Sequence, residues 1–417
     1  MDRWNEDLRL LLRSPRPEWT NMISLGTGAK HLRVAIPCCG IVGGKQIFDM
    51  MDTKVEYENI YDLESGYLPL LSHIINGEPR LGLKAGDCTK VQLQDLTNVD
   101  VLMAGPPCPP FSSSGNRKLE NDARADVFAK IVSWCIHLGR SGSLKALLLE
   151  NVAGCATAYK GKQPYAELVL TVLRKNIPGW TFDMQLGNLN SFIPQNRKRV
   201  FIRGLTNRLC PQNGLPPPRE VIAGPQPRLI NFLCTSLPNC VRTDLSKTLR
   251  ENLRDYETEV KVKMRREPEL FDDRTVCMFS IDRGFDAKWN CGIFVDTAPT
   301  LTASNRRLFV VSTWDIDSHT ADRIIFRYVH PGERLALMGF PTQYNQWLTP
   351  SLALKASGNA YPPPLCAMMF GPILELLAKE DCCSTTCQQV DDTARNFRMP
   401  KQKVLKQIKK KPAARKR

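Results

Sequence analysis

The chain has 417 residues, 42% of them apolar and 24% charged, which suits a soluble globule large enough for a sizeable core and two lobes. A net charge of +15 favours a polyanionic partner, and no uninterrupted apolar run reaches the roughly 18 residues of a membrane span. Fifteen cysteines scattered without a repeating spacing read as free thiols in a reducing compartment, and Met1–Asp7 lacks the shape of a signal peptide, so the chain is expected to be intracellular.

Residues 1–30 carry an amphipathic piece around Leu8–Arg13, then proline and glycine breaks, and are read as an N-terminal extension. Leu32–Ile36 reads as a buried strand, followed by Pro37-Cys38-Cys39-Gly40-Ile41-Val42-Gly43-Gly44 and a helix-like Lys45–Met51. A strand, a Gly-rich turn and a helix let backbone approach a nucleotide cofactor and offer it free N–H groups, although such a turn can equally serve packing alone. A second strand, Val55–Tyr61, ends at Asp62-Leu63-Glu64. In Rossmann-like sheets an acid at that tip accepts ribose hydroxyls, which nominates Asp62, with Glu64 second. Further on, Ala85-Gly86-Asp87-Cys88 has the composition of a turn.

The strand-like run Val99–Ala104 feeds directly into Gly105-Pro106-Pro107-Cys108-Pro109-Pro110-Phe111-Ser112. The prolines fix φ and remove backbone donors, so the chain must leave the sheet in a stiff, extended turn that holds Cys108 out at a strand end. A thiol presented there is a candidate nucleophile; a buried, inert cysteine is the alternative. Ser112–Lys118 is polar with two cations, suited to phosphate contact or loop closure. From near Asp126, apolar residues at Val127, Phe128, Ile131, Val132, Cys135 and Leu138 keep a helical period. Leu144–Leu149 is the next strand, ended by Glu150-Asn151-Val152. A carboxylate after a continuous apolar run points into a cleft or has its pKa raised.

Tyr165–Lys175 reads as a helix and Trp180–Leu186 as a strand. In Pro194–Ile202, an extended run puts Arg197 and Arg199 on one side and Lys198 on the other. From 205 to 354 prolines multiply, patterning fades and Lys261–Arg266 adds a basic strip, so this stretch is read as a second lobe, with the first lobe at 31–204 and 355–380. Gly358-Asn359-Ala360-Tyr361-Pro362-Pro363-Pro364 opens a helix through Leu377. In 381–417, Cys382, Cys383 and Cys387 lack the fourth ligand of a zinc site. Lys401–Arg417 holds nine cations and no acid, nine of the fifteen net charges. Phosphate binding, nuclear import and a merely solvated tail are all open to it.

Gly105-Pro106-Pro107-Cys108-x-x-Phe111-Ser112 resembles the nucleophile motif of the cytosine-C5 DNA methyltransferases. The resemblance continues in the family's order through Ser114-Gly115, Asp122-x-Arg124, Glu150-Asn151-Val152, Gln195–Arg199 and Gly358-Asn359, over roughly residues 31–375. It implies an α/β, Rossmann-like sheet with a smaller target-recognition lobe, S-adenosyl-L-methionine as cofactor and DNA as partner, with RNA as an alternative substrate. By this likeness Cys108, Glu150, Arg199 and Arg197 are the catalytic candidates, Arg199 for the target cytosine and Arg197 the more structural. Cys39, Gly40, Gly43, Gly44, Asp62, Leu63, Asp87, Cys88, Pro106 and Asn359 are the cofactor-binding candidates. The turn departs from the family's Phe-x-Gly-x-Gly in having Cys38 where the aromatic stands and Val42 as an extra residue.

The implied chemistry is addition of the Cys108 thiolate to C6 of a flipped cytosine while Glu150 holds or protonates N3, then methylation at C5. A tRNA cytosine-C5 methyltransferase would share this chemistry but usually has Gln-Pro-Phe-Thr after its cysteine, where this chain has Pro109-Pro110-Phe111-Ser112. A catalytically silent nucleic-acid-binding regulator is the third expectation, and it need not bind the cofactor.

Overall fold

The computed structural model describes residues 2–13, 18–74, 83–107, 124–158, 161–222, 224–225, 227–234, 237, 245–286, 292–303, 308–312 and 327–378. Cys108, the Ser112–Lys118 loop, the Cys382–Cys387 cluster and the basic tail lie outside the described residues.

Seven strands make the main sheet: β1 (His31–Pro37), β2 (Lys54–Asp62), β3 (Leu83–Ala85), β4 (Val101–Ala104), β5 (Ala146–Val152), β6 (Trp180–Asn188) and β7 (Lys198–Thr206). Their spatial order is β3-β2-β1-β4-β5-β7-β6. The first five run parallel, and β7 is antiparallel to both β5 and β6. The central strands are apolar at nearly every position because both faces are covered. Along β4, Val101 and Met103 face one core while Leu102 and Ala104 face the other; in β5, Ala146 and Leu148 alternate with Leu147 and Leu149 in the same way.

Helices close each face. On one side lie α2 (Lys45–Met50), α3 (Leu68–Ile74) and α9 (Pro363–Leu377), burying Ile47, Phe48, Leu70 and Phe370. On the other lie α4 (Arg124–Arg140) and α5 (Tyr165–Asn176), burying Phe128, Ile131, Trp134 and Leu173. This three-layer sandwich is the expected Rossmann-like α/β fold. Its edge away from the cavity described below is tied by buried Asp100, which accepts from the Arg33 backbone N–H at 2.9 Å and lies 3.2 Å from the Lys145 ammonium.

A second sheet, antiparallel and ordered β11-β10-β8-β9, uses β8 (Val276–Ser280), β9 (Phe294–Val295), β10 (Leu308–Ser312) and β11 (Arg327–Tyr328). Helix α6 (Lys247–Arg266), capped by the Ser246 hydroxyl, lays Leu253, Tyr256, Val260 and Met264 on Cys277, Phe279 and Ile281. The Tyr256 and Phe279 rings stack 4.9 Å apart.

Two boundaries differ from those read in the sequence. Among the described residues of 205–354, only the part around α6 and the small sheet has its own core: Leu229 and Phe232, and Leu335, Leu337 and Phe340 of α7 (Pro331–Ala336) and the turn after it, belong to the main core. The described part of residues 1–30 is not an appendage. Helix α1 (Asp2–Arg13) packs on α7, and Trp19 donates to the Gly339 carbonyl at 2.9 Å. The apolar face of α1 finds its cover on Cys234, Leu237 and α7, more than 200 residues along the chain, which no local pattern announces.

Candidate active site

The connections leave β1 toward β2 on one side and return to β4 on the other, so a crevice opens where the strand order reverses, beyond the carboxyl ends of β1 and β4. There the structure has a cavity of about 350 Å³, within the range of small-molecule sites. It runs from the turn after β1, past the tip of β2 and Gly86–Cys88, to Pro106, Pro107, Glu150 and Arg199. Of the fourteen residues nominated from the sequence, the cavity gathers Cys39, Gly40, Gly43, Asp62, Leu63, Asp87, Cys88, Pro106, Glu150, Arg197, Arg199 and Asn359. Gly44 does not line it and abuts the Met103 side chain instead; Cys108 is outside the described residues, next to lining Pro107.

The turn after β1 is held in an unusual backbone. Cys38, Gly40 and Val42 have φ of 56°, 52° and 52°, the left-handed region that disfavours side chains and β-branched ones most. The two residues that depart from the family's glycine pattern are thus the two strained ones. Asp62 pins this turn: one carboxylate oxygen accepts from Gly40 N–H at 2.8 Å and the other from Glu64 N–H at 2.9 Å. Burial raises the Asp62 pKa, and the two N–H bonds oppose that. Glu64, the other candidate, is engaged elsewhere, ion-paired to Lys355 across the cavity mouth and capping Gly66 N–H. Asp87 accepts from the Thr89 N–H and hydroxyl, which lowers its pKa.

At the other end, Glu150 lies near the end of β5 and Arg199 near the start of β7. Arg199 Nε lies 2.9 Å from Glu150 Oε1, both about nine-tenths buried. Burial pushes Glu150 above the usual carboxylate range, with Arg199 and Arg197 pulling the other way. Arg197 is a brace: it donates to the carbonyls of Leu301 at 2.7 Å and of Gly358 and Ala360 at 3.1 Å, tying β7 to α8 (Pro350–Asn359). Asn151 donates to the Pro106 carbonyl at 3.2 Å, fixing the start of the proline turn against the strand that carries Glu150.

Sequence reading missed Tyr361. Its ring lies between two glycines: a β-carbon on Gly43 would stand 2.7 and 2.8 Å from ring carbons and collide with the Tyr361 carbonyl, and one on Gly105 would stand 2.8 Å from the opposite ring edge and 3.5 Å from Glu150 Oε2. Adjacency to Gly358-Asn359 was the one available signal.

A Rossmann-like sheet with a pinned Gly-containing turn, an acid at the tip of β2 and a buried carboxylate–guanidinium pair in the same crevice has the layout of a nucleotide-cofactor site. The sequence model of the C-5 cytosine-specific DNA methylase family matches residues 75–375, and the chain belongs to that family. It is similar to the type II methyltransferase M.NlaIV of Neisseria lactamica, 30% identical over 171 residues that cover 40% of this chain and 38% of that protein. It is also similar to M.HpaII of Haemophilus parainfluenzae, 29% identical over 185 residues, 44% of this chain and 45% of that one. The chain thus spans less than half the length of these relatives. Solved structures share the fold: the Entamoeba histolytica methyltransferase EhMeth (TM-score 0.51, 18% identity, 84% of this chain and 98% of that chain) and a Spodoptera frugiperda DNMT2 mutant (TM-score 0.52, 16% identity, 83% and 99%).

Proposed function

We propose that the protein is a DNA cytosine-C5 methyltransferase that takes its methyl group from S-adenosyl-L-methionine. The observation that carries this reading is the buried Glu150–Arg199 pair sharing one cavity with the Asp62-pinned turn. The donor set suits the cofactor: Asp62 is poised for ribose hydroxyls, exposed Leu63 offers an apolar face for a base, and Gly40 leaves room at the turn. When bound, that cofactor supplies an electrophilic methyl group.

The remaining steps belong to the chain. Cytosine C5 is a poor nucleophile until the ring's aromaticity is broken. Cys108, on the strength of its motif, adds to C6; after methylation a base removes the C5 proton and the C6–S bond breaks, releasing the thiolate. Glu150, its pKa raised by burial, can keep a proton at N3 of the base and so draw electron density away from C6 and then toward C5. Arg199 holds that carboxyl in place. A base in a stacked duplex cannot reach a pocket of this depth, so the cytosine is flipped out, at a cost of a few kcal/mol. The net charge of +15 favours the phosphate backbone as partner, and the basic Lys401–Arg417 segment supports nuclear placement.

The test is methyl transfer from labelled cofactor to duplex DNA and, in parallel, to total tRNA, with Cys108→Ala and Glu150→Gln as controls. Transfer to DNA that both substitutions abolish supports the reading; transfer to tRNA alone moves the substrate; transfer to neither overturns it.

A further inference from the structure

The cavity wall carries two thiols that the proposed chemistry does not use. Cys38 follows β1 and Cys88 follows β3, and their sulfurs lie 3.9 Å apart across the same cavity. We propose that Cys38 and Cys88 form a modification site, a dithiol that a peroxide oxidises to an intramolecular disulfide, and that this bond reshapes the cofactor end of the cavity. The bond itself is independent of the methyltransferase reading; its effect on the cofactor rests on it.

Three features of the pair support this. First, the thiols are unequal. The S–H···S hydrogen bond between them, in which either sulfur can donate, lowers the Cys88 pKa against the opposing effects of burial and of Asp87 and Asp62, and raises that of Cys38. A thiolate is the form that attacks peroxide, and a protonated neighbour within reach is the resolving partner. Second, both line the cavity, so a small oxidant reaches them by the route a ligand would use. Third, adjacent Cys39 does not compete: it is 2% exposed, directs its thiol toward the Gly40 carbonyl, and burial pushes its pKa up.

The step balances. The Cys88 thiolate attacks one peroxide oxygen, the O–O bond breaks, and the leaving hydroxide takes a proton to become water. The Cys38 sulfur then attacks the sulfenic sulfur of Cys88; the S–O bond breaks and a second water leaves with the Cys38 proton. Two thiols and one hydrogen peroxide become one disulfide and two waters. Closing the gap from 3.9 Å to a bond of about 2.05 Å draws the 86–88 turn toward a β1 turn already strained at Cys38, where φ is 56°. Gly86 and Asp87 move with it, narrowing the cavity where Asp62 and Leu63 stand.

The test uses the full chain with Cys108→Ser, which removes that thiol as a competing target. After stoichiometric hydrogen peroxide, alkylation and non-reducing trypsin digestion, the expected product is peptide Val34–Lys45 joined to Ala85–Lys90, with fragmentation placing the link at Cys38. Calorimetry with S-adenosyl-L-methionine is expected to show affinity at least about tenfold weaker than in the reduced protein, about 1.4 kcal/mol, and restored by dithiothreitol. Cys88→Ser should abolish the link, and Cys38→Ser should abolish both the link and the peroxide-induced loss, each variant being compared with its own untreated sample. A link through Cys39 or other cysteines, no link at all, or a link that leaves affinity unchanged overturns the proposal. Failure of the reduced protein to bind the cofactor would sink the methyltransferase reading instead, while the peptide link would still decide the modification site.

Discussion

Glu150 and Arg199 meet across neighbouring antiparallel strands, two residues out of register: Arg199 pairs with Val152 in the ladder and Glu150 with Phe201, yet their side chains close to 2.9 Å. This diagonal contact holds a buried acid against a cation that lines the same cavity.

Glu150→Gln keeps the size and an acceptor for Arg199 but cannot hold an acidic proton. Methyl transfer is expected to fall at least about a hundredfold, the usual scale of general acid–base assistance. The folded pKa is raised, so the native state binds the proton more tightly than the unfolded chain. Glu150's contribution is therefore fully present below the ordinary carboxylate pKa and is lost as pH rises through the folded one. Urea unfolding at pH 5 and pH 7 should show a smaller drop in stability for the Gln variant than for the wild type.

Arg199→Met leaves a buried carboxylate without its partner. Removing one member of such a pair costs about 3–5 kcal/mol, so a large fall in urea midpoint is expected. The double variant Arg199→Met/Glu150→Gln should recover part of it. An additive double-variant cycle would show that the two groups do not interact.

Gly105→Ala would press a methyl group onto the Tyr361 ring, whereas Gly43→Ala would also meet the Tyr361 backbone carbonyl. Each should cost about 1–3 kcal/mol, as overpacking does. Tyr361→Val should rescue Gly105→Ala and leave Gly43→Ala impaired, because only the Gly43 clash also involves the Tyr361 backbone carbonyl. Thermal melts of the four variants decide this.

Asp62 has its pKa raised by burial, so its protonation begins at higher pH than for an ordinary aspartate. Cofactor affinity should weaken as pH falls through that raised value, since a protonated acid is a poorer acceptor for ribose hydroxyls and for Gly40 N–H. Asp62→Asn should bind about tenfold more weakly at pH 7 and lose that pH dependence. Calorimetry from pH 4.5 to 7.5 tests both.

Much of the site was legible because its signals are local. A glycine-rich turn between an apolar strand and a helix, an acid at the tip of β2, a proline run after β4 and Glu150 after a continuous apolar run each announce themselves within about ten residues. Alternation in an extended run places Arg197 and Arg199 on one side, and only the resemblance, not the pattern, made Arg197 the more structural of the two. Only the carbonyls of Leu301, Gly358 and Ala360, brought from more than 100 residues away, make Arg197 the brace. Glu64 looked like an alternative to Asp62 until Lys355 arrived from α8 to occupy it.

By itself, the sequence determined the strand–turn–helix order of the main sheet, which residues alternate into its two cores and which side chains stand at strand ends, because periodicity and turn chemistry act between near neighbours. Tertiary structure alone decided that Asp2–Arg13 and Trp19 pack on α7 and its flanks, that among the described residues the second lobe's own core is confined to α6 and the small sheet, that Tyr361 fills the gap between Gly43 and Gly105, and that Cys38 faces Cys88. An apolar or sulfur-bearing side chain records that it wants a partner but not which one, and that choice is made only when the layers close.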